Sequence, residues 1–165
     1  MRDERSTAGR RGQLDFADVS WSVAAARVAK KVKLAEDFVA EVLAREPSRW
    51  SWQEEAARVV LHGHCHQKAL VGTTGAVAAL KGSGCSVETI PSGCCGMAGS
   101  FGYEAKNYEV SMAMGELVLF PAVRGAEPTT QVVASGTSCR HQIHDGTGRS
   151  SSHAMVFLAG RLMRG

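Results

Sequence analysis

Beyond Glu54 the chain alternates short apolar runs with amphipathic stretches, and this rhythm limits the possible folds more than any other feature. Arg58 to His62 (RVVLH) has the aliphatic, β-branched character of a strand buried on both faces. Gln67 to Lys81 reads as a helix ended by Gly82. Cys85 to Ile90 (CSVETI) reads as a second strand. Tyr103 to about Phe120 then reads as a helix, with Tyr108, Met112, Leu117 and Leu119 available for packing. Thr130 to Ala134 (TQVVA) is a third strand and His153 to Met163 a closing helix. Strands separated by helices pair in parallel through right-handed crossovers. The expected class is therefore α/β, a small Rossmann-like three-stranded parallel sheet with flanking helices, preceded by a helical N-terminal segment.

That N-terminal segment differs in character. Val19, Val23, Ala26, Val32, Ala35, Phe38, Val39, Val42 and Leu43 recur at roughly helical spacing, with Asp15 or Asp18 placed to cap the start and Pro47 to end it. Met1 to Gln13 is polar and reads as disordered. The expected division is 1–56 as tail plus helical segment and 57–165 as one cysteine-rich α/β unit.

Charge and hydropathy exclude several function classes. Eleven Lys/Arg face ten Asp/Glu before Leu61, and eight face six after it, so no basic footprint for nucleic acid exists. No run of about 18 apolar residues suggests a membrane span, which leaves at most peripheral association. The N-terminus lacks the apolar stretch of a secretion signal. A cytoplasmic location is expected, and there thiols stay reduced. The five cysteines then read as ligands or reactive groups rather than disulfides.

Placing the cysteines on the expected skeleton yields the main inference. Cys65 follows the first strand, Cys94 and Cys95 the second, and Cys139 the third. Loops that follow parallel strands emerge at one carboxyl edge, where open α/β sheets bind their ligands. Four thiolates at one point repel each other unless a cation holds them, and soft sulfur donors select zinc, copper(I) or iron–sulfur clusters. The adjacent pair Cys94–Cys95 is awkward for one tetrahedral zinc, because its side chains start out pointing apart. A [4Fe-4S] cluster offers several metal corners, and the glycine-rich run GMAGSFG (96–102) supplies N–H groups suited to an anionic cluster. Zinc remains the alternative, as does a dithiol redox centre. Cys85 opens a strand at the opposite edge and reads as a small core hydrophobe.

His62, His64 and His66 alternate around Cys65 and, at strand spacing, would share one face. His141 lies two positions beyond Cys139. His66 and His141 are the preferred additional donors to the site, because imidazole beside a cluster raises its potential. Lys68 and Arg140 are close enough in sequence to offset thiolate charge.

These motifs resemble a known family. SGCCGMAGSFGYE (92–104), with HGHCHQKAL (62–70) and GTSCRHQ (136–142), resembles the cysteine-rich CCG domain. That domain occurs in iron–sulfur subunits of glycolate oxidase, anaerobic glycerol-3-phosphate dehydrogenase and heterodisulfide reductase. The likeness extends to the C-terminal end of fused FAD-linked oxidases of the D-lactate or D-2-hydroxyglutarate dehydrogenase type. It covers roughly Val59 onward and implies Cys65, Cys94, Cys95 and Cys139 as cluster ligands, with Gly96 completing the triplet. Gln142 stands where the pattern has a second cysteine of a CxxC pair, which favours a four-thiolate cubane. The resemblance also implies partners: FAD-containing and ferredoxin-like domains or subunits of the same enzyme, absent from this sequence. The expectation is an iron–sulfur electron-transfer module of an FAD-linked 2-hydroxy acid dehydrogenase, inactive alone and with no catalytic residue of its own. Its competitors are a structural zinc docking module and a thiol enzyme with Cys94 or Cys95 as nucleophile.

Overall fold

A computed structural model describes residues 19–163, with side-chain surroundings from Ser22 onward. The expected disorder before Gln13 and the capping roles of Asp15 and Asp18 lie outside the described residues. Two compact units divide between Lys33 and Leu34.

Helix α1 (Val19–Ala29) belongs to the first unit. The single long helix expected through Leu43 is instead two, because α2 (Ala35–Arg45) starts afresh. Lys30, Lys31 and Lys33 bring like charges to the C-terminal side of α1, whereas Glu36 and Asp37 favour a new N-terminus. Helix α2 lies in the second unit, and its Val39 and Leu43 are buried against α4 (Thr74–Gly82). The division at residue 56 expected from sequence groups this helix with the N-terminal segment, yet its apolar face completes the α/β core.

The second unit is the expected α/β sheet. Strands β1 (Arg58–His62), β2 (Ser86–Thr89) and β3 (Gln131–Ala134) pair in parallel in the order β2-β1-β3. Val60 stands opposite Glu88 on one side and Val132 on the other. Strand alternation then sorts the core into two layers. Val59, Leu61 and Val133 pack against α2, α4 and α8 (Ala154–Arg161). Val60, Val132 and Ala134 pack against α6 (Leu119–Gly125) and α7 (Thr137–Thr147). The crossover from β1 to β2 thus covers one face, and that from β2 to β3 covers the other. The outer edge of β3 is closed by the backbone of Ser152, which accepts from Ala134 N–H at 2.9 Å and donates to the Val132 carbonyl at 3.0 Å.

Three further helix assignments differ from the sequence pattern. The helix expected over Gln67 to Lys81 is split into α3 (Cys65–Leu70) and α4, with Gly72 in a left-handed conformation between them. Two 3-10 turns (Phe101–Tyr103 and Ala105–Asn107) precede α5 (Tyr108–Glu116), and the chain then bends into α6. Leu119 and Phe120 are fully buried, while Tyr108 and Leu117 are exposed, Leu117 by 79%. Helix α7 has no counterpart in the sequence pattern. Its buried face consists of Cys139, Gln142 and Ile143, too few apolar positions to produce a helical hydrophobic pattern. No helix among the described residues is long and apolar enough to cross a membrane.

Leu80 is fully buried between α2 and the sheet, whereas Leu70 is exposed. Leu80→Ala is expected to destabilise the protein by about 2–5 kcal/mol, and Leu70→Ala by no more than about 0.5 kcal/mol. Equilibrium denaturation of the two variants measures the difference.

Candidate metal centre

The carboxyl edge of the sheet gathers the loops that carry four of the cysteines. After His62, the last residue of β1, the chain turns at Gly63 and enters α3 with Cys65 as its first residue. After β2 it passes through Ser92 and Gly93 to Cys94 and Cys95. After β3 it turns at Ser135 and Gly136 into α7, whose third residue is Cys139. All five cysteines are free thiols. Cys95 (3% exposed) and Cys139 (1%) are buried, while Cys65 and Cys94 are half-buried. Cys85 lies apart, in the core layer against α4, with its sulfur 3.4 Å from Ser83 Oγ. Its expected structural role is consistent with that position.

Electrostatics tie the four together. The Cys139 thiol keeps its proton and shares it in a hydrogen bond with the Cys95 sulfur, and this bond is the largest influence on both. It holds the Cys95 thiol far below its usual range, at about 4, with His62 contributing against the opposing effect of burial. The Cys139 thiol is pushed up by holding that proton, by burial, and by the charges of Cys95, Cys65 and Cys94. Burial also raises Cys94, reinforced by Cys95 and Cys65, while the Gly96 N–H opposes the rise by donating to Cys94 Sγ at 3.4 Å. Each thiolate formed here opposes the next, which is the situation a bound cation relieves.

The loop carrying Cys94 and Cys95 is pinned from several sides. Gly96 has φ +100°, and a Cβ there would lie 2.1 Å from the Ser111 carbonyl oxygen. The Ser111 hydroxyl donates to the Gly96 carbonyl at 2.9 Å. Gln142 Nε2 then donates to the Ser111 carbonyl and hydroxyl, both at 3.0 Å. Gln142, at the position where the CCG pattern has a further cysteine, thus ties α7 to α5 beneath the loop. Lys68 completes the clamp from α3 by donating to the carbonyls of Ser92 and of Gly93, the latter at 2.8 Å. Gly136 lets the backbone approach closely, since a Cβ there would lie 2.8 Å from Cys139 Sγ and 2.5 Å from the His64 ring.

Several expected neighbours sit elsewhere. The ammonium of Lys68 is spent on loop carbonyls, and Arg140 donates to the Ala134 and Ser135 carbonyls, each at 3.0 Å. His62, His64 and His66 do not share a strand face, because the strand ends at His62 and a helix follows. His66 is exposed and packs edge-on against His64, with ring centroids 5.3 Å apart. Both line a cleft of about 430 Å³ that also holds buried Glu36, Ser135 and His153. There Ser135 Oγ donates to Glu36 at 3.2 Å, and His153 Nε2 lies 3.8 Å from the same oxygen. His141 is exposed and its Nδ1 pairs with the Tyr103 hydroxyl at 2.8 Å.

His62 is the histidine at the centre. It is fully buried, its Nδ1 pairs with Ser92 Oγ at 2.8 Å, and its Nε2 has no hydrogen-bond partner. Its ligating nitrogen and the sulfurs of Cys95 and Cys139 all lie within 4.8 Å of one another. An orphaned buried imidazole nitrogen costs about 1–3 kcal/mol. One beside two thiols is the donor set of a soft or borderline metal, so these residues fit a metal or cluster. A sequence signal for His62 exists, as the last inward position of a buried strand with Val60 on the same face. It is outweighed by the proximity of His66 to Cys65 and of His141 to Cys139 along the chain.

Fold and site together define a small α/β unit with a cluster of soft donor groups at its carboxyl edge. Comparison with known proteins places it among oxidoreductase relatives. Over 125 residues (71% of this chain) it is 37% identical to the D-2-hydroxyglutarate dehydrogenase of Escherichia coli K12. It is 36% identical over 100 residues to the enzyme of the same name from Pantoea ananatis. Over 126 residues it is 28% identical to one subunit of the anaerobic glycerol-3-phosphate dehydrogenase of Escherichia coli K12. The chain spans 12%, 10% and 31% of the length of these three proteins. No family model matches the chain, and no solved structure matches it.

Two substitutions test the loop clamp. Gly96→Ala is expected to abolish metal retention, because its Cβ overlaps the Ser111 carbonyl at an unfavourable φ; Gly93→Ala, with nothing within 4 Å, is the neutral control. Gln142→Ala is expected to lower stability by about 1–3 kcal/mol through the stranded Ser111 groups. Metal content after desalting and a denaturant melt read the two effects.

Proposed function

We propose that this chain is an iron–sulfur electron-transfer module of a larger flavin-dependent 2-hydroxy acid dehydrogenase. The observation that carries the reading is the gathering of Cys65, Cys94, Cys95 and Cys139 at one edge of the sheet, in a chain similar to D-2-hydroxyglutarate dehydrogenases. A [4Fe-4S] cluster held by those four thiolates would accept and pass on single electrons. The chain's own contribution is positional. Gly96 and Gly136 let the backbone approach the sulfurs, Gln142 and Ser111 hold the CCG loop, and the burial of Cys95 and Cys139 limits solvent access. Nothing in this set is a substrate-binding or catalytic group. Oxidation of the substrate belongs, in this reading, to an FAD domain, with a ferredoxin-like domain as the further partner and a cytoplasmic location. The relatives' greater length supports such partners.

A second reading is a structural zinc module, and one observation favours it. Bonds of about 2.3 Å to a tetrahedral ion gather sulfur donors about 3.8 Å apart, and the close grouping of Cys95 and Cys139 suits that spacing. A thiol enzyme fits less well, since Cys95, the group with the lowered pKa, is only 3% exposed.

Purification under anaerobic conditions separates these readings. The cluster reading expects brown protein with iron and acid-labile sulfide in near-equal amounts. A colourless preparation that takes up one zinc per chain, and no iron on reconstitution, would sink it. Cys139→Ser is expected to lose most of the bound metal, while Cys85→Ser retains it.

A further inference from the structure

We propose that His62 is a direct ligand of the metal centre through Nε2, so that the site is a mixed sulfur–nitrogen one. This inference rests on the reading that the cysteine site binds metal, and it does not depend on which metal that is. Four observations carry it. His62 is wholly buried, and its Nε2 makes no hydrogen bond of standard geometry, although the ring sits close enough to Cys95 to lower its thiol pKa. A ring nitrogen of His62 lies within 4.8 Å of both the Cys95 and Cys139 sulfurs. Its Nδ1 is held by Ser92 Oγ at 2.8 Å, the outer contact that orients most metal-bound histidines. The tautomer in which Nδ1–H donates to Ser92 is the one that presents the Nε2 lone pair to the sulfurs. Ser92 is itself fixed, since it is buried and its carbonyl accepts from Lys68.

The fold explains why this histidine and not the others is placed there. His62 ends β1 on the same face as Val60, the face that α7 covers with Cys139. His64 and His66 follow the turn and line the cleft by Glu36, and His141 points to Tyr103 at the surface. Gln142 is engaged with Ser111, so His62 and not Gln142 is the nitrogen or amide side chain available beside Cys139. A neutral imidazole donates less negative charge than a thiolate, so the centre's potential is higher than all-thiolate ligation would set.

The test uses the full chain, labelled with nitrogen-15 histidine and prepared anaerobically. Electron-nuclear double resonance on the paramagnetic centre is expected to show one directly coordinated histidine nitrogen. His62→Ala is expected to abolish that coupling and shift the potential downward, while the triple variant His64→Ala/His66→Ala/His141→Ala keeps both. If His62→Ala fails to fold, the triple variant decides: retained coupling supports His62 and lost coupling overturns it. Should the protein hold no iron, the iron–sulfur reading fails on its own, and the cobalt(II)-loaded protein is read in the same way. A loaded wild-type centre with no coordinated nitrogen overturns the inference. So does a nitrogen coupled only weakly, through a hydrogen bond to a thiolate, or a protein that binds neither metal.

Discussion

Parallel pairing of β1 with both of its neighbours is the constraint from which the site follows. Val60 and Leu61 are locked in register with β2 on one side and β3 on the other, so all three strands end at the same edge. Residues 65, 94, 95 and 139 are far apart along the chain and have no local means of meeting. The sheet brings their loops together, and the helices behind it hold the loops in place. An antiparallel arrangement of the same segments would send one cysteine loop to the opposite edge.

Convergence alone does not make a metal site, because buried thiols must also be held against mutual repulsion. The structure holds the loops with backbone and side-chain hydrogen bonds, and His62 is the side chain that lowers the Cys95 thiol. Lys68 and Arg140, the nearest basic residues in sequence, donate to carbonyls of the loops and leave the sulfurs alone. The Gly96–Ser111–Gln142 chain of hydrogen bonds fastens the CCG loop from below. What faces the sulfurs is the imidazole of His62 and bare backbone at Gly136.

Much of this is legible in the sequence, and for identifiable reasons. RVVLH and TQVVA are strands whose buried faces show as unbroken apolar runs, and the positions of the cysteines after them follow directly. Cys85 separates from the other four because it precedes a strand. Helix α7 is hidden, since the face it buries is a cysteine, a glutamine and an isoleucine. The split of α3 from α4 turns on Gly72, which a continuous apolar pattern masks. His62 yields to His66 and His141 in the sequence pattern because nearness along the chain there substitutes for nearness in space. Gln142 looks like a missing ligand, but its amide has a structural task that only the packed position of Ser111 reveals.

Anomalous diffraction at a metal absorption edge, on crystals of anaerobically prepared protein, tests the central claim most directly. The account predicts a single metal density within bonding distance of the sulfurs of Cys65, Cys94, Cys95 and Cys139, and none at Cys85. Metal bound elsewhere on the molecule, or a density that leaves Cys95 and Cys139 as paired free thiols, would contradict it.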